Sequence, residues 1–137
     1  MPEQDKIAIV AGEWAIKAEN DLKNAVHTLK LGAKCPTDTV CFHAQQCVEK
    51  YLKALLVILK IEFGRTHDVE TLVSLLPKSI KFPLSVEQQR LLTEYATTTR
   101  YPGHYESISL AEAKQAVKIA RQVRQKVKKL LMEHALF

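Results

Sequence analysis

Apolar residues return at steps of three and four along most of this chain, the period of helices that bury one face. The clearest case is the stretch 38–60, DTVCFHAQQCVEKYLKALLVILK, where Val40, Ala44, Cys47, Val48, Tyr51 and Leu55 hold one side. On a helical wheel of about 100° per residue, His43, Gln46, Lys50 and Lys53 form one strip of the other side, beside Gln45 and Glu49. Phe42, Leu56 and Val57 interrupt that polar side. A merely solvated face has little use for them, so this helix is expected to be central, with a partner, a ligand or a second helix layer on its mixed face.

The rest of the pattern supplies neighbours for it. Residues 3–31 predict a long first helix with a near-heptad stripe through Ala11, Trp14, Ala18, Leu22 and Ala25, ended by Gly32 and Pro36. Asp21 lies on that stripe, seven residues after Trp14. A carboxylate there either pairs with Lys50 or Lys53 of the central helix or sits at the seam's edge in water. Thr37 and Asp38 are good caps for the central helix, and Gly64 is expected to break it. A short helix is predicted over 67–76, capped by Thr66, with Asp68 in its first turn and Pro77 as its stop.

Ser85 with Gln88, and Ser109 with Glu112, have the spacing of capping boxes. The first opens a helix through Tyr95, and the second a last helix over 110–134 that buries Ala113, Val117, Ala120, Val123 and Val127. No strand-like alternation occurs. The expected fold is all-α, an antiparallel up-and-down bundle of four to five helices in a single domain over 1–137.

Composition agrees with that picture. A chain of 137 residues can bury a core without metal or disulfide staples, and four glycines with five prolines do not suit a turn-rich β architecture. It has no run of about eighteen apolar residues to cross a bilayer and no basic, apolar leader at its start, so a cytoplasmic protein is expected. Cys35, Cys41 and Cys47 lack zinc-site spacing and read as reduced structural thiols; no metal site is expected.

Charge adds a second feature. Of twenty Lys and Arg, seven lie in 113–129 with no acid among them, and the remainder of the chain has thirteen cations against fifteen acids. Lys114, Lys118, Arg121, Lys128 and Lys129 share one arc of the last helix, a ridge about 21 Å long at 1.5 Å per residue. Such a ridge either attracts phosphate or an acidic partner, or is a solvated outer face. It carries no aromatic residue for base stacking.

Two short loops concentrate polar chemistry, one with Arg65 and His67 and the other with Arg100, Tyr101 and His104. Arginine offers a planar fork to phosphate, and histidine titrates near neutral pH, so such a pair can hold a phosphodiester and move protons. No phosphate-binding Gly-rich loop, dinucleotide fingerprint or zinc-protease motif is present, and no cofactor is expected. His43 is either a ligand-binding residue or a buried histidine satisfied by Gln46 or a backbone carbonyl.

The segments WAIKAENDLKNA (14–25), CFHAQQCVEKYLKALL (41–56), RTHDVETLVSLL (65–76) and TRYPG (99–103) together resemble the HEPN domain, over residues 8–131. The resemblance implies an up-and-down helical bundle that commonly forms a homodimer and is often paired with a separately encoded minimal nucleotidyltransferase, in toxin-antitoxin-like systems. Some members are metal-independent ribonucleases, others nucleotide-binding or scaffolding modules. It further implies a nucleotide- or RNA-binding region at His43, Gln46, Lys50, Arg65, His67, Arg100 and Tyr101, with Arg100, His104 and His67 as catalytic candidates.

The ribonuclease branch places four to six residues between its Arg and His; here three separate Arg100 from His104, and Pro102 and Gly103 are among them. Three functions are therefore expected in order: a phosphate-binding module partnered by a nucleotidyltransferase, a metal-independent endoribonuclease, and a protein-binding scaffold.

Overall fold

The computed structural model describes residues 2–97, 102 and 107–134. Its helices are α1 (Glu3–Leu29), α2 (Thr37–Ile58), α3 (Val69–Ser74), α4 (Val86–Ala96) and α5 (Leu110–Glu133), with a short 3₁₀ turn at Gly32–Lys34, and the described residues contain no strand. Side-chain pairs fix the directions. Trp14 meets Phe63 just beyond α2, while Asp21, further along α1, meets His43 and Lys50 nearer the start of α2, so α1 and α2 are antiparallel. Glu19 meets Arg124 and Lys128, and Thr37 at the start of α2 donates to the Ile108 carbonyl just before α5. With α4 running back between α3 and the last helix, the bundle goes up, down, up, down, as the periodicity predicts.

The physical reason for α2's central place is its composition. Tyr51, Leu52, Leu55 and Leu56 are fully buried, and α2 packs against all four other helices. Leu56, which interrupts the polar side on a helical wheel, therefore belongs to the chain's own core, and the second helix layer is what covers it. On α1 the small residues Ala11, Ala18 and Ala25 have no exposed surface, so their short side chains let the α2 backbone approach closely.

Helix ends follow local chemistry with four departures. Ser85 and Gln88 make both bonds of a capping box, but the cap of α3 is Asp68, which accepts from the Thr71 amide, and not Thr66, whose hydroxyl is used on the Asp68 amide. At α5, Ser109 caps the Glu112 amide, but the Glu112 carboxylate accepts from the Tyr95 hydroxyl at 2.6 Å. Pro36, not Thr37 or Asp38, occupies the cap position of α2, because the Thr37 hydroxyl is used on Ile108 and Asp38 accepts from the Thr39 amide. Gly64 is not the stop of α2. Lys60 takes the left-handed conformation at φ 61°, and the Ile61 amide donates to the Leu56 carbonyl at 2.9 Å, a closing turn that usually uses glycine.

Candidate functional site

The mixed face of α2 meets two helix-spaced groups of charge. In the first, Asp21 of α1 is buried and its carboxylate accepts from Lys50 Nζ at 2.6 Å and from His43 Nδ1 at 2.9 Å. This settles the alternatives for Asp21: it is paired, by Lys50 together with His43. The histidine in turn is satisfied by a carboxylate from α1, and its ring meets Phe42 edge-on at 5.5 Å.

The second group is more deeply enclosed. Glu49 is 2% exposed and Lys53 4%. The Glu49 carboxylate accepts from Lys53 Nζ at 3.1 Å, from Gln45 Nε2 at 3.0 Å and from His67 Nδ1 at 3.1 Å. A lone buried ammonium or carboxylate is costly, and here each compensates the other. Lys53 Nζ also lies 5.3 Å from the centre of the Trp14 ring and 5.8 Å from that of Phe63, two rings that meet edge-on at 6.3 Å and shield the pair from water. Gln46 donates to the Gln45 side-chain oxygen at 2.7 Å, which extends the network along the helix.

His67 is where this buried network reaches the surface. Its side chain is 68% exposed although its partner Glu49 is closed off. With Nδ1 donating to Glu49, a neutral ring keeps its Nε2 lone pair as the outward acceptor, an orientation fixed from behind by a carboxylate. Arg65, two residues earlier in the same loop, is exposed and makes no ion pair among the described residues. The arrangement offers one unpaired guanidinium and one oriented imidazole two residues apart in one loop, suited to an anionic ligand and to proton transfer.

The structure thus brings His43 and Lys50 onto Asp21, Gln46 onto Gln45 and His67 onto Glu49, and leaves Arg65 open. Arg100, Tyr101 and His104 lie outside the described residues. The organising residue missing from the sequence-based candidates is Glu49. Its signal was its spacing four residues before Lys53 on one helix, which marks the pairing of the two but not their burial. The described residues contain no group of three or more His, Cys, Asp or Glu able to hold a metal ion. All three cysteines are buried and free, and burial pushes the Cys41 thiol up to about 12.

Comparison with known proteins adds a family. The model of the HEPN domain matches residues 11–130. The fold is similar to the crystal structure of TT1696 from Thermus thermophilus, with a TM-score of 0.73 and 28% identity over 87% of this chain and 96% of that one. It is also similar to ST0689, an archaeal HEPN homologue, with a TM-score of 0.68 and 27% identity over 88% of this chain and 96% of that one. None of the curated proteins matches the chain.

Proposed function

Because the chain belongs to the HEPN domain family, we propose that it is a helical binding module that holds a nucleotide or RNA phosphate at the loop of Arg65 and His67, beside the mixed face of α2. The observation that carries this reading is the exposed His67 ring oriented by the buried Glu49 carboxylate, in the same loop as an exposed Arg65. His43, Gln46 and Lys50 extend the polar face, with their charge balanced by Asp21. Arg100 and Tyr101 complete the candidate set as members of the family-like TRYPG segment.

The same reading includes a homodimer and a separately encoded nucleotidyltransferase-type partner, in a toxin-antitoxin-like pair. Family membership supports both, and the exposed Ile9, Val10 and Ile16 of α1 supply apolar surface for a protein contact. Calorimetry with mono-, di- and trinucleotides tests the binding claim. The wild type is expected to bind, and Arg65→Ala with His67→Ala is expected to weaken binding more than tenfold without unfolding, since both side chains are exposed. Absence of heat up to millimolar ligand, or equal affinity in the double variant, overturns it.

One observation favours catalysis as a second reading. A carboxylate behind an exposed histidine is the arrangement of an oriented general base, which suits a metal-independent endoribonuclease using His67, with Arg100 and His104 as further candidates. Labelled RNA incubated in EDTA decides it: equal survival with wild type and with His67→Ala or His104→Ala removes the enzyme.

A further inference from the structure

On the opposite side of α1 the chemistry is reversed. Glu19, Lys23, His27 and Lys30 point roughly half a turn away from Trp14 and Asp21 on the helical wheel, and with Arg121 and Arg124 of α5 they line a groove of about 810 Å³. A second depression of about 670 Å³ shares Gln125 with the first and continues over Lys126 and Lys129 toward Pro83. Of the basic ridge read from α5 alone, Arg121 and Lys129 line this longer surface, whose other wall at its first depression comes from α1.

Its charge is unbalanced. Glu19 is the only acid in the two linings, and its carboxylate is already engaged by Arg124 at 2.7 Å and Lys128 at 3.2 Å. Burial raises the Glu19 carboxyl, but the bonds and charges of Arg124 and Lys128 outweigh it and hold the pKa below the ordinary value, so at neutral pH the acid stays ionised and occupied. Lys23, Lys30, Arg121, Lys126 and Lys129 form no ion pair among the described residues. The apolar side chains of the linings are Leu22, which is 8% exposed, half-buried Val26 and Pro83. No aromatic side chain lines either depression.

We propose that this α1/α5 groove binds the phosphodiester backbone of a single nucleic-acid strand, without reading its bases. The α5 lining from Arg121 to Lys129, about 12 Å long at 1.5 Å per residue, spans three to four phosphates at about 3.4 Å per nucleotide, a repeat that spaced point charges such as lysines can follow. Without aromatic platforms no base is stacked, so affinity is sequence-independent and salt-sensitive. Protein interfaces centre on buried aromatic anchors, and neither lining offers one, whereas the surplus of unpaired cations suits a polyphosphate chain. The site is separate from the Arg65 and His67 loop and does not rest on that reading.

The test is fluorescence anisotropy with labelled twelve-nucleotide RNA and DNA homopolymers across a salt series, with polyglutamate as competitor. Replacing Lys23, Lys30, Arg121 and Lys126 by Gln is expected to weaken binding by more than about tenfold at 0.1 M salt and to flatten the salt slope by about 0.7 for each phosphate that the variant no longer neutralises. Glu19→Gln removes the one negative charge of the groove and is expected to tighten binding about twofold, which a merely unfolding variant cannot do. Lys6→Gln, which alters an exposed cation of α1 that lines neither depression, is expected to leave the salt slope unchanged. Equal RNA and DNA affinities place recognition on phosphate; a preference for RNA of more than about tenfold would mean that the sugar is read and would overturn the backbone-only claim. Unaltered binding in the quadruple variant, or competition by polyglutamate at equal charge, overturns the proposal.

Discussion

Two carboxylates one helix layer apart meet the same kinds of partner with different results. Glu49 and its partner Lys53 are closed off, with side chains 3% and 5% exposed. Glu19 and its partner Arg124 are open, at 25% and 38%. Around Glu49 every charge is answered internally: the ammonium by the carboxylate and two aromatic faces, the carboxylate by an ammonium, an amide and an imidazole. Around Glu19 two cations share one acid and their neighbours have none. An ion pair is thus not in itself a sign of stability or of function. A closed, balanced network fixes geometry, whereas an open surface with surplus charge is available to a ligand.

The most severe way to break the comparison is Glu49→Gln. The amide keeps the shape but leaves Lys53 buried without a countercharge, and loss of one partner of a buried pair costs about 3 kcal/mol or more. Urea denaturation should show that loss. Lys53→Met in the same chain should recover more than half of it, because the pair is then replaced by groups that need no compensation. A double variant no more stable than Glu49→Gln alone would mean that the amide, not the stranded ammonium, is at fault.

That pair also marks the limit of what the sequence carries. Helix positions and the core stripe follow from local periodicity, and the Ser85 box from three-residue spacing. Even the pairing of Asp21 could be anticipated, because an acid in an apolar seam requires a partner. The burial of Lys53 could not. It depends on Phe63, beyond the end of α2, folding back onto Trp14 from the middle of α1, a contact no single-helix wheel contains. For the same reason the basic arc of α5 was legible while its second wall, from Lys23 to Lys30 on α1, was not. Lys60 shows a local failure: Gly64 is the residue propensity favours for a left-handed stop, but hydrogen bonding to Leu56 places the stop at a lysine.

A milder break is Asp21→Asn. Asp21 is 7% exposed, yet Lys50 has a side chain 22% exposed and can turn to water once its partner is neutral. The expected cost is about 1.5 kcal/mol, the value of hydrogen bonds to a charged group rather than of a stranded ion. Thermal denaturation measures it; a loss as large as that of Glu49→Gln would show that the Asp21 group is as closed as its neighbour.

Glu19→Gln sharpens the open side. The effect at pH 7 is expected to stay below about 1 kcal/mol, as for other exposed pairs. Its pH dependence has a definite sign. The folded carboxyl titrates below its ordinary value, so its contribution is present above the unfolded pKa, near 4.3, and is lost as pH falls through the folded one. Stability curves of wild type and variant should therefore converge on acidification below about pH 4, and remain parallel above about pH 6. Divergence toward acid would reverse the assignment.

The smallest effect is expected from Tyr51→Phe, which tests the boundary between the two regimes. Tyr51 has no exposed surface, and its hydroxyl has no hydrogen-bond partner although it lies against Glu19 and Arg124. Burial, and then the Glu19 charge, push the phenol well above its usual range, so it is a neutral hydroxyl at neutral pH. An unbonded buried hydroxyl has lost its hydration without replacement, and removing it relieves that cost while the ring keeps its packing. Stability should change by no more than about 0.5 kcal/mol, with a gain as acceptable as a loss. The change should also add to that of Glu19→Gln within about 0.5 kcal/mol. A loss above that range, or strong coupling between the two variants, would mean that Glu19 serves the core through Tyr51 as well as the groove through Arg124, and the open network would then share the structural task of the closed one.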